Sequence, residues 1–136
     1  MLLPNSLTLS PFLILHTAAH FVLQSPPSLG FSDSLEATYP CGSFPINDRT
    51  NVTPYPLDGY PIHVLSTHTK STFKYRAALS SDTDSFIDLV PPVSEVGVGD
   101  FCLPAVPGPI EWYGKDAVVQ VAQFGPDGIL YQVSPD

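Results

Sequence analysis

A chain of 136 residues with 16 prolines, nine glycines and 13% charged residues has room for one domain of modest core and little use for long amphipathic helices, because proline removes a backbone donor and clashes inside a helix. Thirteen acidic against five basic residues give a formal net charge of −8, a field that repels phosphate backbones and makes nucleic acid an unsuitable partner. The same excess of acid suits a protein that holds or passes on a cation, and it equally serves solubility.

The chain opens on Met1-Leu2-Leu3-Pro4 and the apolar run Phe12-Leu13-Ile14-Leu15, and every charged residue lies at or after Asp33. Small residues, Thr17-Ala18-Ala19, then precede His20, the order of an export leader and its cleavage point. The positive start of such a leader rests on the amino terminus alone, and the alternative is a buried N-terminal strand. A membrane span would need about 20 apolar residues, so the expectation is a leader over 1–19, a single domain over 20–136 and no transmembrane segment. Two further signals fit secretion. Asn51-Val52-Thr53 is a glycosylation acceptor, and Cys41 with Cys102 has the parity of one disulfide, or of two buried free thiols.

From Gln24 to Pro61 the chain is rich in Pro, Ser, Gly and Asp and shows no sustained period, which predicts an extended loop with one strand or helical turn near Leu35. Loops beyond roughly 12–15 residues usually shape a functional surface. Strands are predicted at Ile62–Thr67 and at Thr72–Leu79, where Phe73, Tyr75, Ala77 and Leu79 alternate with Lys74, Arg76 and Ala78. Further strands are expected at Phe86–Val90, Ala117–Phe124 and Ile129–Val133, the last two joined by a Pro126-Asp127-Gly128 hairpin turn. Val93–Gly99 reads as a loop without the glycine spacing of a phosphate cradle. Short strands at this spacing indicate an all-β fold, a β-sandwich.

Nucleophilic catalysis finds no Gly-x-Ser-x-Gly elbow, two cysteines are too few for a cysteine-built zinc site, and Asp82 and Asp84 flank a serine-rich turn as solvated carboxylates. The histidines carry more. His16 leaves with the leader, which leaves His20, His63 and His68. A histidine at a free amino terminus chelates a metal through its α-amino nitrogen and ring Nδ1, and a second imidazole completes a three-nitrogen set, the histidine brace, that suits Cu(II). The brace needs cleavage directly before His20, because a peptide nitrogen is not a basic amine. His63 and His68 differ by five positions and point to opposite faces of a straight strand, so one of them serves and spacing alone does not say which.

Six segments stand in order along the chain: His20-Phe21, Tyr39-Pro40-Cys41-Gly42, Pro56-Leu57-Asp58-Gly59, His68, Gly99-Asp100-Phe101-Cys102-Leu103 and Gly128-Ile129-Leu130-Tyr131. Together they resemble the Bim-type copper acquisition factors, fungal secreted proteins that look like lytic polysaccharide monooxygenases, over nearly all of the mature chain. The resemblance implies an immunoglobulin-like or fibronectin-like β-sandwich with long loops, and a copper site at its edge formed by His20 and His68 rather than His63. It also implies copper uptake at the cell surface, often through a lipid anchor, with copper and a surface transporter or cell-wall polysaccharide as partners. An acidic residue near the metal is usual in the family; Asp100 lies in a matching motif and equally reads as a turn carboxylate. Where the family continues Leu-Tyr-x-Cys-Ala-Asp, this chain has Leu130-Tyr131-Gln132-Val133-Ser134-Pro135-Asp136. The departure suggests a shortened last strand, a missing partner for Cys41 or Cys102, no anchor tail and a gene model that reads into an intron, for which a spliced transcript still ending at Asp136 would be decisive counter-evidence. Two other functions compete with copper handling: copper-dependent oxidation of polysaccharide, for which Tyr55, Tyr60, Trp112 and Tyr113 are candidate platform aromatics, and a cell-wall interaction module with a vestigial site.

Overall fold

The computed structural model describes residues 20–136, so the leader expected over 1–19, with His16, lies outside the described residues. Eight strands follow in chain order: β1 Phe21–Ser25, β2 Tyr60–Ser66, β3 Lys70–Leu79, β4 Ile87–Asp88, β5 Val93–Val96, β6 Gly99–Val106, β7 Ala117–Gly125 and β8 Gly128–Pro135, with one short 3-10 turn at Ile110–Trp112 between β6 and β7. One sheet has the order β1-β2-β6; the other has β4-β3-β7-β8, with β5 also paired to β3. All pairings are antiparallel.

The alternation in β3 has the expected cause as far as Ala77; beyond it Ala78 is buried and Leu79 half-buried, the reverse of what the period predicts. Ser71, Phe73, Tyr75 and Ala77 are buried while Thr72, Lys74 and Arg76 are half-buried, the pattern of a strand with one face on the core. Phe73, Tyr75, Val119 and Val121 of the larger sheet meet Phe21, Leu23, Ile62, Val64 and Val106 in the core between the sheets. β7 is different, because every residue from Val118 to Gln123 is buried. Its outer face is covered by the long segment 26–59. Cys41 packs there on Val118 and Val133, with Leu29 and Ile46 beside them, and Gln120 Nε2 donates to Pro40 O at 2.8 Å.

The same segment closes the free edge of β8. Leu29 N donates to Val133 O, Tyr131 N to Glu36 O, and Thr53 N to Pro135 O, at 2.9, 2.9 and 3.0 Å. An exposed edge would be a template for pairing with another chain. The long loop therefore acts as a cover.

Several expectations change. The strand foreseen at Phe86–Val90 is reduced to Ile87–Asp88, and the loop foreseen at Val93–Gly99 holds β5, paired with β3 from Phe73↔Val93 to Lys70↔Val96. The last strand is not short, since β8 matches β7 from Gly125↔Gly128 to Val118↔Pro135. β1 and β6 add two strands to those the sequence predicts. Among the described residues no helix is long and apolar enough to cross a membrane.

Candidate metal centre

The centre begins with the β1–β2 ladder. Phe21 lies opposite Ser66, and one residue further out Thr67 clamps His20: Thr67 N donates to His20 O at 2.9 Å, the Thr67 hydroxyl donates to the same oxygen at 2.9 Å, and His20 N donates to that hydroxyl at 2.7 Å. The residue after Thr67 is His68. One strand register thus brings the two histidines to one end of the smaller sheet.

The His20 ring is held by the covering segment. Its Nε2 lies 2.9 Å from Asp33 O, and since a carbonyl only accepts, Nε2 carries the hydrogen. Nδ1 faces Asp33 Oδ1 at 3.3 Å, a pairing suited to a proton on Nδ1 or to a cation held between the two. Phe31 meets the ring edge-on, centroids 6.1 Å apart.

His68 is 5% exposed. Gly125 makes room for it, because a Cβ there would stand 2.7 Å from His68 Cε1. Its Nδ1 lies 3.9 Å from Asp127 Oδ1, and its buried Nε2 has no hydrogen-bond partner. A buried nitrogen left without a partner costs about 1–3 kcal/mol. A metal ion would supply that partner, while the Asp127 carboxylate stands near the other ring nitrogen but beyond hydrogen-bond distance. On this ground the donors present suit a nitrogen-loving ion such as copper.

His63 is placed elsewhere. It lies opposite Cys102 and Ser25, and its Nε2 contacts Asp100 Oδ1 at 2.8 Å on the outer side of the smaller sheet. Asp100 therefore serves His63, and the carboxylates beside His20 and His68 are Asp33 and Asp127. Neither was singled out from the sequence: Asp127 reads as a turn residue, and Asp33 stands in a segment without a period. Among the described residues no three His, Cys, Asp or Glu side chains form a ready metal cluster; the brace expected from the sequence would be a different donor set, in which the α-amino nitrogen is one ligand. Both cysteines are free, Cys41 buried and Cys102 exposed, so the single bridge allowed by parity is absent. Cys41 Sγ donates to Phe44 O at 2.7 Å, and burial pushes its thiol up.

Tyr55, Trp112 and Tyr113 line a cavity of about 360 Å³ with Ala77, Ala117 and Asp136, and Tyr60 packs on Tyr55 at 5.1 Å. Ala117 and Gly125 are opposite ends of β7. The aromatics thus lie roughly 25 Å from the His68 end, at about 3.3 Å per residue.

Glu36, also missed from the sequence, is 1% exposed. Burial raises its carboxyl from 4.5 to about 7, against the opposing effects of the Gln132 hydrogen bond and of the nearby His20. Between those values the folded chain keeps a proton that the unfolded chain releases, so this contribution to stability is full below pH 4.5 and is lost as pH rises through 7. The loss is on the order of 3 kcal/mol. Asp136, raised by burial to about 7, adds a decline of the same sign. Urea unfolding of the metal-free protein is expected to show falling stability from pH 5 to pH 8, and a clearly smaller fall in Glu36→Gln; an equal fall in both would assign the effect elsewhere.

The sequence profile described as copper acquisition factor BIM1-like matches residues 18–133. The chain is 32% identical over 137 residues to the copper acquisition factor BIM1 of Cryptococcus neoformans var. grubii, covering 90% of this chain and 62% of that protein. It is 32% identical over 126 residues to the lytic polysaccharide monooxygenase-like protein X325 of Yarrowia lipolytica, covering 83% of this chain and 46% of that protein. An uncharacterized protein of Aspergillus fumigatus is 32% identical over 123 residues, covering 84% and 51% respectively. The chain therefore spans about half to three fifths of the length of these relatives.

Proposed function

Because the chain belongs to the copper acquisition factor BIM1-like family, we propose that it captures copper(II) outside the cell through the α-amino and Nδ1 nitrogens of His20, freed by cleavage after Ala19, and through Nε2 of His68. The observation that carries this reading is the buried, unpartnered Nε2 of His68 on the residue next to the Thr67 clamp that holds His20. The hydrogen on His20 Nε2 leaves Nδ1 as the ring donor, and Asp33 and Asp127 add negative charge beside the two rings. Copper is cargo here, bound for a transporter or another acceptor at the cell surface. Binding rather than turnover is favoured by the place of Tyr55, Trp112 and Tyr113, which stand at the other end of the sandwich; an exposed aromatic, Phe31, lies beside His20, but the candidate platform is not there. An exposed Asn51 agrees with a secreted, glycosylated protein.

The test is mass spectrometry of the amino terminus of the secreted protein, followed by copper(II) titration of wild type, His20→Ala and His68→Ala. A chain beginning at His20 is expected, with each variant weakened at least about 100-fold, since even partners one shell further out cost 10–100-fold. A different amino terminus, or unchanged affinity in both variants, defeats the proposal. Oxygen consumption with release of oxidised sugars would favour the oxidative enzyme instead.

A further inference from the structure

Two buried glutamines reach from the larger sheet into the smaller one: one ends on the backbone of the strand that follows His20, the other on the hydroxyl that accepts from His68 N. Gln132 of β8 is 2% exposed. Its Oε1 accepts from Leu23 N at 2.9 Å, while its Nε2 donates to Phe21 O at 2.5 Å and to Glu36 Oε1 at 2.9 Å. The carboxamide orientation is dictated, because an amide hydrogen must meet an oxygen and a carbonyl must meet the amide nitrogen. Phe21 O and Leu23 N flank Val22 on the side of β1 that faces away from β2, toward which His20 O is turned. A neighbouring strand would use the same two points. One side chain thus stands in for the missing strand at the edge of β1 and leaves none of these buried backbone groups unpaired.

Gln123 of β7 is fully buried. Its Nε2 donates to Ser66 Oγ at 2.7 Å and to Ser71 Oγ at 3.1 Å, and Ser66 Oγ accepts from His68 N at 3.3 Å. Ser66 ends β2, and Ser71 stands near the start of β3. The amide therefore ties together both sides of the short connection that carries His68.

We infer that Gln132 and Gln123 are positioning residues that set the separation and aim of His20 and His68, one glutamine for each histidine. Neither touches the proposed metal. They act through β1 and through Ser66, and because both come from the larger sheet, that sheet is the common frame against which the two ligands are held. The part of this inference that concerns copper rests on the copper-capture reading; the part that concerns backbone order does not.

The third buried glutamine provides the control. Gln120 is as buried as the others, but its amide donates to Pro40 O on the outer face of β7. Gln132→Met, Gln123→Met and Gln120→Met remove three, two and one hydrogen bonds respectively at similar volume, so the control is read by the place of the change, the copper spectrum and the local exchange, and not by the loss of stability. In the metal-free protein, amide exchange at Leu23, measured against Val121 in the core of β7, is expected to speed up about 10-fold in Gln132→Met and to stay unchanged in Gln120→Met. On copper(II) loading, Gln132→Met and Gln123→Met are each expected to shift the copper electron paramagnetic resonance spectrum and to weaken binding about 10-fold or more, while Gln120→Met keeps the wild-type spectrum even where it lowers the unfolding temperature.

Wild-type exchange at Leu23 in Gln132→Met, or equal spectral shifts in all three variants, overturns the inference. Should Gln132→Met fail to fold, Gln123→Met carries the spectral comparison alone. A wild-type protein that binds no copper defeats the function proposed above and leaves the exchange experiment to decide the clamp.

Discussion

A chain that keeps Ala19 ahead of His20 is expected to bind copper(II) at least about 100-fold more weakly than one that begins at His20, with little change in unfolding temperature. The two properties separate because they use the same nitrogen differently. In the fold, His20 N donates a hydrogen bond to the Thr67 hydroxyl at 2.7 Å, and a peptide N–H does this as well as an amine. In the proposed metal site that nitrogen must offer a lone pair, which amide resonance withdraws. Isothermal titration of the two chains, with thermal unfolding of each without metal, reads both sides. Equal copper affinity would remove the amino terminus from the site, whatever His68 does.

The largest expected gain in stability comes from Val133→Cys. Val133 is 1% exposed and shares a buried cluster with Cys41 and Val118, and it stands where the related motif carries a cysteine. Cys41 is buried and free, whereas Cys102 is exposed on β6, in the other sheet. The new thiol is therefore expected to pair with Cys41. Closing a loop of about 90 residues stabilises by roughly 4.6 kcal/mol in the chain-entropy account, which corresponds to an increase in unfolding temperature on the order of 10–20 °C for a domain of this size. Mass spectrometry should show the loss of two hydrogens, and thiol titration should find Cys102 alone. A variant that stays reduced in an oxidising buffer and melts below wild type would mean that the two Cα atoms stand beyond the reach of a bridge.

The strands that could be read from sequence are those whose two faces differ or whose apolar run is unmistakable. β3 shows its period in Phe73, Tyr75 and Ala77, and β7 and β8 are bounded by the Pro126-Asp127-Gly128 turn. β6 hid its period because Phe101 and Leu103 are only half-buried, with Pro104 between Leu103 and Ala105. β5 is four residues with no buried position. Of the proposed site, the two histidines stand out by residue type and by a family motif, and their choice over His63 rests on that motif rather than on spacing. Their supports do not. Gln123 and Gln132 resemble the solvent-facing polar positions of ordinary strands, and Glu36 sits in a stretch with no period. A clue existed in Ala117–Gly125, where two glutamines interrupt an otherwise apolar run too continuous for a strand with one wet face.

The register between β1 and β2 also bears on how such a chain can change over generations. His20 and His68 are tied through one short ladder and two cross-sheet amides, none of which depends on the length of the segment 43–59. That segment can gain or lose residues while the ligands keep their separation. A single deletion within Phe21–Leu23 or Val64–Ser66 has no such freedom, because strand side chains alternate and a slip of one residue turns each to the opposite face. Length variation in descendants of this chain should therefore accumulate in 43–59 and be purged from a few residues beside the two histidines.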